Sequence, residues 1–310
     1  MKKQFSYFGV ALTVMCLPAL AMGATLFSDN MSNGAAWTVN AFNGADASAT
    51  FGYDYGTLAG IPAPPGGGDT IGLRLDGNTA ADANPEGGIT VTPTGLSFSG
   101  NYTFSFDVWI QWHSGGGGTT EYAGGGVGYD GTDKNGDLGT GSGGYLQLVG
   151  DGSSSRDYRM YKDAGEQFVV SGQYNPAMTT NNGSDPFFAT ISPVVDMSTF
   201  DPPQTGATGF TDLGDPGFNW THVELIVIGA AGTIRIEIDG NWLGTLDTNV
   251  GSAVPLTGAL SLFHYDRYSS VAGQWAAAYF DNIVVTDVPE PASLSLLALG
   301  GLAVLRRRRR

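Results

Sequence analysis

An all-β fold, with two antiparallel sheets packed face to face as a sandwich, is predicted by three features of this 310-residue chain. Residues 25–287 carry alternating apolar and polar runs broken by Gly, Asn, Asp and Pro clusters, the pattern of strands and turns. No amphipathic helical period interrupts them. The composition agrees: 48 glycines, 11% aromatic residues and 14% charged residues favour strands joined by many turns. The apolar and aromatic content is also enough to offset chain entropy, which excludes a disordered chain. Sandwiches of this length commonly form one domain.

The elements follow in order. Leu26-Phe27-Ser28-Asp29 reads as a first strand. From Asn101 to Gln111 the alternation is clean: Tyr102, Phe104, Phe106, Val108 and Ile110 share one face, and Thr103, Ser105, Asp107, Trp109 and Gln111 share the other. In the block from Trp220 to Leu246, Val223, Leu225 and Val227 alternate with His222, Glu224, Ile226 and Ile228. That strand reads as buried on both sides over its second half. Thr233 to Ile238 follows with Ile234, Ile236 and Ile238 inward. Asp239-Gly240-Asn241 supplies a tight turn, because Asp-Gly tolerates positive φ, and Trp242 to Leu246 returns. Ala259 to His264 and Ala278 to Thr286 complete the set. Long loops are expected at about 60–90, 113–144 and 175–218.

Trp220-Thr221-His222-Val223, the strand from Ile234 to Gly240, and Phe280-Asp281-Asn282-Ile283-Val284-Val285 together resemble the concanavalin A-like, laminin-G-like jelly roll. The likeness is good over 220–287 and looser over 95–175. It implies two antiparallel sheets with the first and last strands adjacent. It also implies a structural Ca²⁺ where those strands meet, with Asp29 and Asp281 as hard oxygen ligands.

The ends read as addresses. Lys2 and Lys3 precede an apolar stretch from Phe8 to Leu17, and Ala19, Ala21 and Gly23 offer a cleavage site. That is the layout of a signal peptide over residues 1–23, expected to be helical. The lone cysteine, Cys16, falls within it. At the other end Pro289-Glu290-Pro291 is followed by an apolar segment, Leu294 to Leu305, and then Arg306, Arg307, Arg308, Arg309 and Arg310. The segment is shorter than the roughly 20 residues of a spanning helix. The arginines would hold it at the cytoplasmic side of the membrane. Residues 288–310 resemble the PEP-CTERM sorting signal. That resemblance implies export through the secretion machinery, transient inner-membrane association through a short hydrophobic helix, and recognition by a membrane-embedded exosortase. Delivery to the cell surface or extracellular matrix would follow.

Between the two signals stands a body, 24–287, with seven basic residues against 28 acidic ones, a net charge of −21. So negative a surface repels phosphate backbones and excludes nucleic acid as a partner.

Three constellations could carry chemistry. Asp107, Trp109, Gln111 and His113 place an aromatic ring among hydrogen-bonding groups on one strand face, which suits sugar. Asp133-Lys134-Asn135-Gly136-Asp137, with Asp130 nearby, begins like a Ca²⁺ loop. It departs from the EF-hand at Leu138, where Gly is needed, and at Gly144, where a bidentate Glu is needed. Asp29 and Asp281 form the third. No catalytic motif is found. The Glu-x-Asp-x-x-Glu strand of laminarinase-like jelly rolls and the Gly-x-Ser-x-Gly elbow are both missing, and Glu224 and Glu237 sit singly on strands. His113, His222 and His264 are too widely spaced for a local zinc motif.

The expectation is therefore an exported, surface-sorted, non-catalytic β-sandwich that binds polysaccharide or adheres. The alternatives are a polysaccharide-active enzyme with a divergent site and a purely structural coat protein.

Overall fold

The computed structural model describes residues 23–42, 46–79, 86–112, 121–136, 140–150, 156–167, 186–200, 209–267 and 276–289. One compact unit spans Ala24–Val288, and Met1–Gly23 and Pro289–Arg310 fall outside it. The expected signal helix and tail helix lie outside the described residues, as do His113, Asp137, Glu290, Pro291 and Arg306 to Arg310.

Among the described residues the strands are β1 (Thr25–Asp29), β2 (Trp37–Phe42), β3 (Ala47–Asp54), β4 (Ile71–Gly77), β5 (Gly87–Pro93), β6 (Asn101–Gln111), β7 (Glu121–Tyr129), β8 (Gly144–Val149), β9 (Tyr158–Lys162), β10 (Gly165–Glu166), β11 (Trp220–Ile228), β12 (Thr233–Ile238), β13 (Asn241–Asp247), β14 (Ala259–Asp266) and β15 (Ala277–Asp287). A short helix, α1 (Tyr55–Ala59), follows β3; Asp54 caps its start and Gly60, at φ +69°, ends it. Sheet A has the order β13-β12-β11-β6-β15-β4-β3, with β1 added beside β15, and sheet B has the order β10-β9-β8-β7-β14-β5-β2. All the pairings are antiparallel. The fold is the two-sheet antiparallel sandwich that the sequence predicts, and the first strand does pair with the last.

The main core lies between the sheets. From β6 come Tyr102, Phe104, Phe106, Val108 and Ile110; Leu146, Leu148, Leu260 and Leu262 are among their counterparts from sheet B. Each such side chain contributes about 1.5–3 kcal/mol relative to an exposed one. The β12–β13 hairpin turns as expected, with Asp239 at φ +49° and Gly240 at φ +71°.

Three expectations are corrected. Ile226 and Ile228 are only half-buried, so β11 alternates to its end. The expected loop at 60–90 contains β4 and the start of β5, and that at 113–144 contains β7. Strand β7 reads as loop because Gly is disfavoured in strands generally. Here it is required: a Cβ on Gly124 would sit 2.0 Å from the Leu146 carbonyl, and one on Gly125 would lie 2.6 Å from the Phe106 ring. The third correction concerns Trp109 and follows from a second core. Over one end of the outer face of sheet A, α1 and segments 60–70, 195–200 and 209–218 fold down. Trp109, Trp112, Trp220 and Tyr279 are enclosed with Tyr55, Ile61, Met197 and Phe218.

Candidate functional site

Among the described residues the outer face of sheet A is thus covered at one end and open at the other, and a cavity of about 530 Å³ lies at the boundary. Pro65 and Gly66 from the covering segment form one wall; Ser105 and Asp107 of β6, Trp220 and His222 of β11, and Asn282 and Val284 of β15 form the rest, with Asp239 at the hairpin.

Strand register assembles its centre. Asp107 lies directly opposite His222 on β11 and opposite Asp281 on β15. One Asp107 oxygen meets His222 Nδ1 at 2.6 Å, and the other accepts from Asn282 Nδ2 at 2.7 Å. Asp281 Oδ2 accepts from the Tyr55 hydroxyl at 2.7 Å, and its Oδ1 accepts from the Asn282 backbone N–H. Two carboxylates facing each other across strands repel; here each is taken up by different donors. Asn282 sits in a β-bulge at φ +53°, a conformation that Asn tolerates better than most residues. That local strain, at a point where one side chain steers a buried carboxylate, is the kind found at ligand sites.

With Nδ1 facing Asp107, the His222 ring turns its Nε2 edge away from the carboxylate, and its side chain is 43% exposed. The Asp107 hydrogen bond raises the His222 pKa above 6.5, partly offset by burial. The sign follows from linkage: this stabilisation is complete below pH 6.5 and fades as pH rises through the raised value. Burial raises the Asp281 pKa and pushes the Tyr55 phenol far above its usual range.

The structure distributes the sequence candidates as follows. Asp107 is a buried member of the cavity. Trp109 is 2% exposed in the second core, edge-on to Phe200 and Trp220. The ligand face expected at Trp109 is therefore closed there, because the segments after residue 186 find cover for the ring. Gln111 is buried and donates to the Tyr279 hydroxyl at 3.0 Å. The paired acids Asp29 and Asp281 are each taken up by hydrogen-bond donors of their own. Asp29 accepts from the Met31 N–H and Trp37 Nε1, and Asp281 is engaged as described. Among the described residues no group of three or more His, Cys, Asp or Glu could hold a metal. In the 130–136 loop, Asp130 accepts from the N–H groups of Thr132 and Asp133, and buried Asn135 donates to Ser261 Oγ at 2.9 Å. That loop is pinned down on sheet B by its own side chains. His222 and His264 lie on different sheets, so no histidine cluster forms from them.

Sequence reasoning missed His222, Asn282, Asp239 and Trp220 as a group. The available signal was weak: an Asp-Asn pair inside a strand, where both residues are disfavoured, marks a bulge. The register that brings β6, β11 and β15 together is not local information.

Residues 287–310 match the PEP-CTERM protein-sorting motif, so the chain carries a sorting signal of exported proteins at that end. No curated protein matches the sequence. Among solved structures the chain is similar to a protein of unknown function with a galectin-like fold from Bacillus subtilis, at 12% identity and TM-score 0.45, covering 86% of this chain and 97% of that one. It is also similar to an endo-β-1,4-glucuronan lyase from Trichoderma reesei, at 10% identity and TM-score 0.46, over 86% and 96% of the two chains. A Bacillus licheniformis β-glucanase gives 11% identity and TM-score 0.38 over 85% and 98%. These likenesses carry neither ligand nor activity to this chain.

Proposed function

We propose that this is an exosortase-sorted surface protein whose β-sandwich binds polysaccharide, without catalysis, at the Asp107–His222–Asn282 cavity. The carrying observation is the cavity's two-sided chemistry. Pro65 and Val284 offer apolar walls for sugar C–H faces, with only an edge of the largely buried Trp220 beside them, while Asp239, Ser105 and His222 supply polar atoms for hydroxyls. Both Asp107 oxygens already hold structural partners, which suits a group that orients His222 rather than one that attacks a substrate.

The test is a glycan array probed with the exported protein. Binding to one polysaccharide class is expected, weakened about tenfold by His222→Ala, the loss of one polar anchor. Because the same change leaves one oxygen of buried Asp107 without its partner, it should also lower the melting midpoint; His222→Gln, which keeps a polar group there, separates lost binding from lost folding. A blank array would remove the binding reading and favour a structural coat protein.

Sorting has its own expected result. Deleting residues 290–310 should release the body without surface display; normal display of the truncated chain would overturn the exosortase reading.

One observation favours an enzyme instead: Glu224 and Glu237 are register partners on β11 and β12. Retaining glycosidases hold two carboxyls about 5 Å apart. Here Glu237 is tied to Arg235 Nε at 2.6 Å, which suits a charge-paired surface. Polysaccharide turnover that disappears in Glu224→Gln would establish the enzymatic reading.

A further inference from the structure

Beyond the cavity, the open half of the sheet A face carries a line of side chains that the cavity does not use. Strand register sets Val284 opposite Ser105, Ser105 opposite Glu224, Glu224 opposite Glu237, and Glu237 opposite Trp242. The first two line the cavity, so the row runs from its mouth across β11 and β12 to β13 at the sheet edge. From β6 to β13 the distance is about 14 Å at about 4.8 Å per strand, the reach of a short oligosaccharide rather than one sugar.

Trp242 ends this row and is 39% exposed, unlike Trp109 and Trp220. Its ring is fixed in place. The Arg235 guanidinium lies 5.0 Å from the ring centroid, and Trp242 Nε1 donates to Thr245 Oγ1 at 3.2 Å. Arg235 is held in turn by Glu237. An aromatic plane oriented in advance, with part of its surface left in water, loses little freedom when a sugar ring stacks on it. The Glu224 and Glu237 carboxylates between Trp242 and the cavity are acceptors for hydroxyls. Together with a body charge of −21, they repel uronate or sulfate groups.

We infer that Trp242 is the distal stacking subsite of a groove that starts at the Asp107–His222 cavity and takes an extended, neutral polysaccharide strand. This rests on the binding reading above and gives it a ligand class and a direction. Because β13 is the edge strand among the described residues, the groove is open there beyond Trp242, so an internal stretch of a long chain fits as well as its end.

The experiment is titration calorimetry of the full chain with neutral oligosaccharide ladders of two to six residues from β-glucan, xylan and mannan, and with polygalacturonate. The expected result is affinity that climbs with length in one neutral ladder. Trp242→Ala should bind the longest member about tenfold more weakly, the loss of one aromatic anchor, and should level off at a shorter length. Trp242→Phe should recover most of the loss, and an unchanged melt of both variants would set folding aside. If Trp242→Ala matches wild type along the ladder while His222→Ala weakens it, the Trp242 subsite is overturned and the cavity reading stands. Tighter binding of polygalacturonate than of any neutral ladder overturns the neutral assignment. Wild type that binds none of the probes overturns both readings.

Discussion

Trp109→Ala should lower the stability of the body by about 3–5 kcal/mol, the usual cost of emptying an aromatic core position. The ring touches Phe200 at 5.3 Å and Trp220 at 5.8 Å between centroids, so its removal leaves a hole among groups that close the second core. Those groups anchor the 195–200 and 209–218 segments over sheet A. Limited proteolysis within them should therefore quicken in the variant before the sandwich itself unfolds. Trp109 Nε1 is buried with no hydrogen-bond partner, so Trp109→Phe removes an unsatisfied donor along with some volume. It should cost well under half as much. Denaturant unfolding of both variants checks this. A loss below about 1 kcal/mol for the alanine change would mean that the second core adds little to folding.

Acid should unfold the protein partly through His264. This residue projects from β14 among Ile89 and Ala123, its partners in register, and is fully buried. Neither ring nitrogen has a hydrogen-bond partner, and burial with the nearby Arg74 charge brings its pKa down to about 3. The folded state thus binds the proton more weakly than the unfolded chain, whose value is near 6.5. Stability is unaffected above pH 6.5 and falls as pH drops towards 3, at up to about 1.4 kcal/mol per pH unit. Across the whole window this amounts to on the order of 5 kcal/mol. His264→Leu exchanges an unpaired polar ring for an apolar side chain and should be neutral or stabilising at pH 7. Its stability should then decline less steeply between pH 6 and pH 4. Equal slopes for the two proteins would show that His264 is not held neutral. His222 works in the opposite sense, but its contribution is already complete below pH 6.5, so its loss should leave the slope of the acid limb unchanged.

Much of the sandwich was legible in the sequence. Phe104, Phe106 and Val108 announce a core-facing strand by period alone, and Asp239-Gly240 announces its hairpin by backbone chemistry. The glycine strand β7 was not legible, because its glycines answer to Leu146 and Phe106 across the sheets rather than to local preference. The same limit governed the site. Asp107 was visible as a polar residue on a strand, but its partners lie 115 and 175 residues away. Trp109 misled for a related reason: its alternation set the face correctly, yet no local signal shows that a segment 90 residues further on covers one end of that face.

The pairing of the first strand with the last bears on how this chain can reach the outside of a cell. β15 is an interior strand of sheet A, bonded along one side to β6 and along the other to β4 and then β1. Without it the sheet falls into three pieces: β13-β12-β11-β6, β4-β3 and the single strand β1. If the chain crosses amino end first, as a leader at residues 1–23 would direct, that eleven-residue strand arrives last and the sandwich cannot close before it. Unclosed sheet edges would stay exposed throughout the crossing, a period in which an unfinished β-protein is prone to associate with its neighbours. The last strand then acts as the latch that completes the fold once the body has crossed the inner membrane, ahead of release from its tail.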